Sequence, residues 1–234
     1  MSYSFLKESK LYIVYGGNKY RIYTTTAISF SQTFAEDSYS VKTLHDQSKM
    51  FEGSTITKAN AANFSFGVPL TTEKDESIVI TLLSDITDGQ LKSFDIYVQT
   101  GSSTFKIENA IITNSNFSFS AKKQFFVEIS GQGTKLTRAG NESYTIPGNA
   151  QSESATRTPL TIYPVVTIDS LNMSSIVKAQ VSITTEISWT KYDNLHQSLS
   201  VTNSSNAMFP STYTIGKRIA SGAITQYQTD NNIT

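Results

Sequence analysis

Two stretches of this 234-residue chain nearly repeat one another, and the repetition limits it to a fold that can be started twice. The first runs from Ile28 to Phe66: Ile28-Ser-Phe-Ser-Gln-Thr-Phe, then Thr43-Leu-His-Asp-Gln-Ser, Ser54-Thr-Ile-Thr-Lys and Asn63-Phe-Ser-Phe. The second runs from Val181 to Tyr227: Val181-Ser-Ile-Thr-Thr-Glu-Ile, then Asn194-Leu-His-Gln-Ser, Ser211-Thr-Tyr-Thr-Ile and Ala220-Ser-Gly-Ala-Ile-Thr-Gln-Tyr. The chain has two histidines, His45 and His196, and they fall at the same place in the two copies. Apolar residues two apart with Ser and Thr between them bury one face of a strand and wet the other, so the repeated unit is made of β-strands. After Tyr227 the sequence lines up with the first copy at Thr72 to Ile78, so the second copy is expected to be a front half only, completed by further residues or by a neighbouring subunit.

The remaining sequence supports an all-β fold with one short helix. Leu11-Tyr-Ile-Val-Tyr and Tyr20-Arg-Ile-Tyr around Gly16-Gly17 predict a hairpin. Residues 42–54 lack a clean period and are expected to form a long arm or loop. Thr72-Glu-Lys-Asp75 has the form of a capping box, and Ile78, Val79, Leu82 and Leu83 behind it share one face of a helix. Phe94 to Ile129 reads as an antiparallel meander, with Gly131-Gln-Gly133 expected as a β-turn and the first unit closing at Leu136. Three segments follow: residues 1–137 as the first β domain, 138–159 as a linker that only Tyr144 and Ile146 can anchor, and 160–234 as the second β domain.

Composition excludes several function classes. Nineteen basic against nineteen acidic residues give no net charge, so nonspecific attraction to nucleic acid or to an anionic membrane is not expected. No apolar run reaches the length of a membrane span, and the start has no secretory pattern, which makes synthesis in the cytoplasm the expectation. Without cysteine there is neither a disulfide nor a thiolate metal site. His45 and His196 lie in polar loops, Asp75 and Glu76 diverge on a helix, and no nucleophile or zinc motif is present. The expectation is no enzyme, no cofactor and no metal. Met50-Phe51 and Met208-Phe209 are apolar pairs at matching places in the two long loops; with Lys49 and Tyr213 beside them they are the expected subunit contacts.

Several phrases together carry a family resemblance. Ile28-Ser-Phe-Ser-Gln, Asn60-Ala-Ala-Asn-Phe-Ser-Phe, Lys106-Ile-Glu-Asn-Ala-Ile-Ile, Phe117-Ser-Phe-Ser and Val127-Glu-Ile-Ser-Gly-Gln-Gly-Thr-Lys-Leu resemble the tail tube proteins of bacteriophages, in particular long-tailed phages with two tube domains per chain. Val181-Ser-Ile-Thr-Thr-Glu-Ile-Ser-Trp and Gly216-Lys-Arg-Ile-Ala-Ser-Gly-Ala-Ile-Thr-Gln-Tyr resemble the opening half of a second such domain. The resemblance implies an antiparallel β-sandwich or rolled sheet flanked by a helix, tandemly repeated with the second copy incomplete. It implies self-assembly into rings, as a trimer with pseudo-six-fold symmetry or a hexamer, stacked into the tail tube of the virion. Tape measure and tail-end proteins are its implied partners, and DNA passes through the lumen without specific binding during genome ejection. The competing expectation is a carbohydrate- or receptor-binding β-sandwich module of a virion or adhesin.

Overall fold

The computed structural model describes residues 9–23, 28–42, 50–71, 74–83, 90–120, 122–151, 158–160, 166–168, 171–173, 176–190 and 208–227; for 39–42, 50–55, 57, 74–76, 166–168 and 171–173 it describes the backbone alone. The chain opens with the expected hairpin, β1 (Lys10–Tyr15) against β2 (Asn18–Ile22). Tyr15 pairs with Asn18, and Gly16 and Gly17 turn between them at φ 59° and 78°, the doubly positive conformation a tight two-residue hairpin requires. Next come β3 (Ser29–Ser31), β4 (Phe34–Lys42), β5 (Met50–Ala59) and β6 (Ala62–Pro69), then the helix α1 (Lys74–Leu83). α1 packs over β2 and buries Ile78, Val79 and Leu82, as their spacing on one helical face dictates.

After α1 the strands are β7 (Phe94–Gln99), β8 (Thr104–Ser120), β9 (Phe126–Gly133), β10 (Lys135–Gly140) and β11 (Asn149–Ala150). Three apolar runs that look separate in the sequence, around Phe105, Ile111 and Phe117, are one 17-residue strand, β8. Its first half lies between β7 and β10, and its second half between β9 and β14 (Ile176–Thr190). The sheet turns over at β8, so that two halves face one core. One half is β11-β2-β1-β7-β8-β10; the other is β3-β6-β9-β8-β14 with β15 (Thr212–Gln226) outermost. Leu11, Ile13, Ile96 and Ile107 of one half share a cluster with Phe64, Phe66, Val127 and Ile129 of the other. Phe30 on Phe105, with ring centroids 5.3 Å apart, and Phe64 edge-on to Phe94 at 6.2 Å tie the layers together. β12 (Val166–Ile168) and β13 (Leu171–Met173) form a separate small hairpin.

The two repeated stretches form the same hairpin. Ser29, Phe30 and Ser31 pair with Ser65, Phe64 and Asn63; Ser182, Ile183 and Thr184 pair with Ser221, Ala220 and Ile219. Pairing resumes at Phe34 with Ala59 in the first copy; in the second it continues through Thr185 with Arg218 and shifts before Ile187 with Ile215. In each copy the leading strand advances three residues, 31 to 34 or 184 to 187, while its partner recedes four, 63 to 59 or 219 to 215. The net slip over this interval is one residue in both, but the first copy shifts again between Ala35 and Glu36 where the second stays in register. The pairing matches Phe64 with Ala220, one residue away from the alignment the sequence blocks suggest.

Two local expectations are corrected. The arm expected over residues 42–54 is strand where it is described, with Lys42 paired to Met50 and Ser40 to Glu52; residues 43–49 lie outside the described set. β4 is exposed from Phe34 through Ser38, so no alternation of buried and exposed residues marks it as a strand. Gly131 and Gly133 are not a turn but the end of β9, facing inward. A Cβ on Gly131 would run into the Ile111 carbonyl and the Phe64 ring, and one on Gly133 into the Ile107 side chain and the Glu108 carbonyl. Glycine is there because the sheet closes on itself too tightly for any side chain.

The bend in β8 carries its own fastening. Asn109 takes φ 48°, and its N–H donates to Asp95 Oδ1 at 3.1 Å. Lys106 Nζ lies 3.0 Å from Asp95 Oδ2 and 3.4 Å from Glu108 Oε1. Burial works to lower the Lys106 pKa, but the hydrogen bond and charge of Asp95, followed by Glu108 and Tyr97, outweigh it and push it up to about 12. Downstream, residues 138–151 are laid against the first half of the sheet. Tyr144 stacks on Tyr97, Ile146 is buried, and β11 pairs in parallel with β2.

Two measurements test this account. Gly131→Ala should cost ~1–3 kcal/mol by denaturant unfolding, because the group it meets is a backbone carbonyl in the ladder. Because Lys106 has its pKa raised above the ordinary 10.5, its ion pair stabilises fully below that value and is lost as pH rises toward about 12. Asp95→Asn should therefore cost ~0.5–1 kcal/mol at neutral pH, the deficit narrowing across that alkaline window.

Candidate assembly interface

Strand alternation sorts the second half of the sheet into two unlike faces. Phe64, Phe66, Val127 and Ile129 point into the core, so their neighbours Asn63, Ser65, Glu128 and Ser130 point outward. Ser65 stands opposite Ser130, Ser130 opposite Asn114, and Asn114 opposite Thr184, so one polar row crosses β6, β9, β8 and β14. The side chains are tied across strands. Asn116 donates to Glu128 at 3.5 Å, Gln180 donates to Asn116 at 3.0 Å, Thr184 donates to Asn114 at 3.1 Å, and Gln132 donates to Asn63 at 3.2 Å. An open hollow of about 440 Å³ lies over this ladder, lined by Ser65, Asn114, Asn116, Glu128, Gln180 and Ser182 among others. Amides and hydroxyls dominate it, with Glu128 its carboxylate.

This half ends in two free edges. Among the described residues β15 is paired with β14 alone, β3 with β6 alone, and β4 with β5 alone. β15 is exposed from Gly216 through Ala223, and β4 from Phe34 through Asp37. The edges differ in charge: β4 carries Glu36 and Asp37 at its exposed end, whereas the charges of β15 are Lys217 and Arg218.

The residues expected at subunit contacts fall in three groups. Lys49 lies outside the described set, and Met50 and Phe51 are placed in β5 by backbone only. Met208 and Phe209, 2% and 8% exposed, pack inside the chain against Ala59 and Ile56. There the Ala59 N–H donates to the Met208 carbonyl at 2.9 Å, Phe34 meets the Phe209 ring edge-on at 6.4 Å, and Lys135 Nζ sits 4.7 Å above that ring. Tyr213 is held by the segment after α1: the Leu91 N–H donates to its hydroxyl at 3.0 Å, and the hydroxyl donates to the Leu91 carbonyl at 3.1 Å. Trp189 stands edge-on to Tyr213 at 5.2 Å and donates to Gln132 Oε1 at 2.8 Å. These contacts join the second hairpin to the first sheet. His45 and His196 lie outside the described residues. Lys135, Leu91 and Gln132 could not be singled out from the sequence, because each works through a partner 57 to 122 positions away or through its backbone.

The fold of this chain is thus mostly β with one short helix, one amide-lined sheet face and, among the described residues, long unpaired edges. Over residues 1–234 its sequence matches the Bacteriophage Baseplate Tube Protein Family, and the chain belongs to that family, which makes it a structural component of the phage tail tube and baseplate. No curated protein matches it by sequence. Solved structures that align with part of it include three from contractile systems. One is the sheath-tube complex of an extracellular contractile injection system, PVC, in the extended state: 15% identity, 56% of this chain, 88% of the other, TM-score 0.40. Another is the sheath/tube terminator of that system: 14% identity, 55% and 92% coverage, TM-score 0.39. The third is the tube-terminating cap of the anti-feeding prophage: 14% identity, 60% and 93% coverage, TM-score 0.41.

Tyr213→Phe should remove both hydrogen bonds to Leu91 and cost ~1–2 kcal/mol. Amide exchange of residues 90–94 and 208–215 should accelerate while that of β1 and β2 stays as it was.

Proposed function

We propose that this chain assembles into rings that stack to form a hollow segment of the phage tail at the baseplate, the passage taken by the genome on ejection. The supporting observation is the 15-residue strand β15, hydrogen-bonded on one side and exposed along most of its length. An edge that long and flat invites aggregation unless a neighbour covers it, and regular covering by identical copies yields a closed ring.

The polar sheet face suits the lumen. A polyanion that must slide needs a wall that is wetted, neither strongly basic, which would hold it, nor apolar. Amides bonded to one another across β6, β9, β8 and β14 offer few free donors to phosphate, and Glu128 repels it. In this reading β14 and β15 act as the opening hairpin of a second tube unit, set beside the first. A ring of three chains with pseudo-six-fold symmetry, or of six chains, fits that arrangement, and stacked copies, the tape measure protein and tail-end proteins are its neighbours. The chain acts by shape, with no catalytic role and no cofactor.

Negative-stain microscopy and analytical ultracentrifugation of the purified chain test this. Rings or tubes of uniform bore are expected. A stable monomer that is captured by glycans would replace the conduit with the carbohydrate- or receptor-binding alternative.

A further inference from the structure

We propose that the polar face ends in a nucleotide-binding patch, where Lys123 and Lys178 hold a phosphate of a DNA strand and Phe126 beside them takes the face of an unpaired base. The inference rests on the lumen reading above and gives one rim of that wall a grip the rest of it lacks.

Register places the patch. Along β8 from the row that contains Asn114, the next outward positions are Asn116 with Glu128 and Ser182, then Ser118 with Phe126 and Gln180, then Ser120 with Lys178. Beyond the end of β8, Lys122 takes φ 61° and the Lys123 N–H donates to the Ser120 carbonyl at 3.1 Å, a turn that keeps Lys123 at the same end. A second open hollow of about 440 Å³ lies there, lined by Ser118, Ser120, Lys123, Gln124, Phe126 and Lys178 among others.

The chemistry changes along the strip. The bonds that tie the amides across strands stop at Asn116 and Gln180. Past them the side chains of Ser118, Ser120, Lys123, Gln124 and Lys178 have no partner among the described residues. Glu128, the carboxylate that lines this hollow, stands two rows back from Lys178. The four residues of β8 from Asn116 to Ser120 span about 13 Å. Salt screens exposed charges beyond about 8 Å, so Glu128 leaves the two cations unneutralised.

A phosphate supplies what this group lacks. Two ammonium groups answer its charge, and the serine hydroxyls and the Gln124 amide offer donors to its oxygens. Phe126 decides between anions. It is half-buried on a face otherwise made of amides and hydroxyls, and it meets no other ring among the described residues. An acidic peptide would use the lysines and leave the ring idle, whereas a single strand uses both, its backbone on the cations and a base of any identity on the aromatic. Repeated around a ring, the patch forms a collar at one end of the bore, able to retain an end of the genome until it moves onto the stretch of tied amides.

Fluorescence anisotropy of the full chain with a labelled short oligothymidylate tests the site, with thymidine monophosphate and inorganic phosphate as unlabelled competitors. Lys123→Gln/Lys178→Gln, at two exposed positions, should bind at least tenfold more weakly at low salt and flatten the slope of log affinity against log salt by about 1.4, two contacts at about 0.7 each. Phe126→Leu should weaken the oligonucleotide about fivefold or more while leaving the inhibition constant of inorganic phosphate unchanged. Lys58→Gln/Arg138→Gln, which removes the same charge from exposed positions elsewhere, should bind as the wild type does. In the wild type, which needs no variant to fold, the oligonucleotide should slow amide exchange over residues 122–126. Equal losses in the two double variants, a Phe126→Leu chain that binds like the wild type, or a wild-type chain that does not bind would overturn the assignment. Thymidine monophosphate that competes as well as the oligonucleotide, nucleotide for nucleotide, would replace the strand with a free nucleotide. Rings that bind no oligonucleotide would end the patch and leave the conduit standing, while a lasting monomer that binds through both lysines would keep the patch and remove the conduit.

Discussion

β8 has to serve two sheets at once, and most of the architecture follows from how it does so. Its 17 residues carry inward-facing apolar side chains along two half-strands, and the strand bends between them. The bend is possible because Asn109 adopts a left-handed conformation whose freed N–H is taken up by Asp95. Thr134, at the matching point between β9 and β10, donates through both its N–H and its hydroxyl to the Glu108 carbonyl, at 2.8 and 3.0 Å. The Asn109 N–H and the Glu108 carbonyl, both at the bend, thereby find partners, as burying a bend requires. The neighbouring glycines of β9 let the folded-over sheet close without a gap.

Once β8 has turned, the molecule acquires a core side and a wet side, and the latter holds the cross-linked amides. A side chain already bonded to its neighbour has less to offer a passing ligand and less rotational freedom to lose. The surface is polar enough to stay hydrated without being adhesive, a property that suits a wall better than a binding site. The burial of Met208 and Phe209, with Lys135 above the Phe209 ring, has a different consequence. It fastens the end of the second hairpin's loop to the base of the first hairpin, so the two lie side by side in one continuous sheet. The apolar pair that the sequence marks for contact thus has an intramolecular partner.

The sequence carried more of the secondary structure than of its connections. The Gly16-Gly17 hairpin, the helix with Ile78, Val79 and Leu82 inward, and the alternating strands at Phe64 and Phe94 were legible because local conformation and one-sided burial write themselves into spacing. The β4–β5 hairpin was not, since β4 is exposed from Phe34 through Ser38 and shows no alternation. Gly131 and Gly133 were misread as a turn because a glycine demanded by a flexible backbone and one demanded by a crowded neighbour look identical in one dimension. Tyr213 drew attention by its place in the loop, yet what it bonds, the backbone of Leu91, has no signature in side-chain chemistry.

By itself the sequence determined that this chain is β-rich, balanced in charge, without cysteine, and started twice with one pattern, for all of these depend on residue identity and short-range order. Only the tertiary structure decided that three apolar runs are one bent strand, that both repeated stretches close as antiparallel hairpins, and that the second is seated on the first sheet at β8. Those outcomes depend on which edges meet. Edge pairing is made by backbone amides and carbonyls that every residue but proline possesses, so the letters specify strands far more sharply than they specify partners.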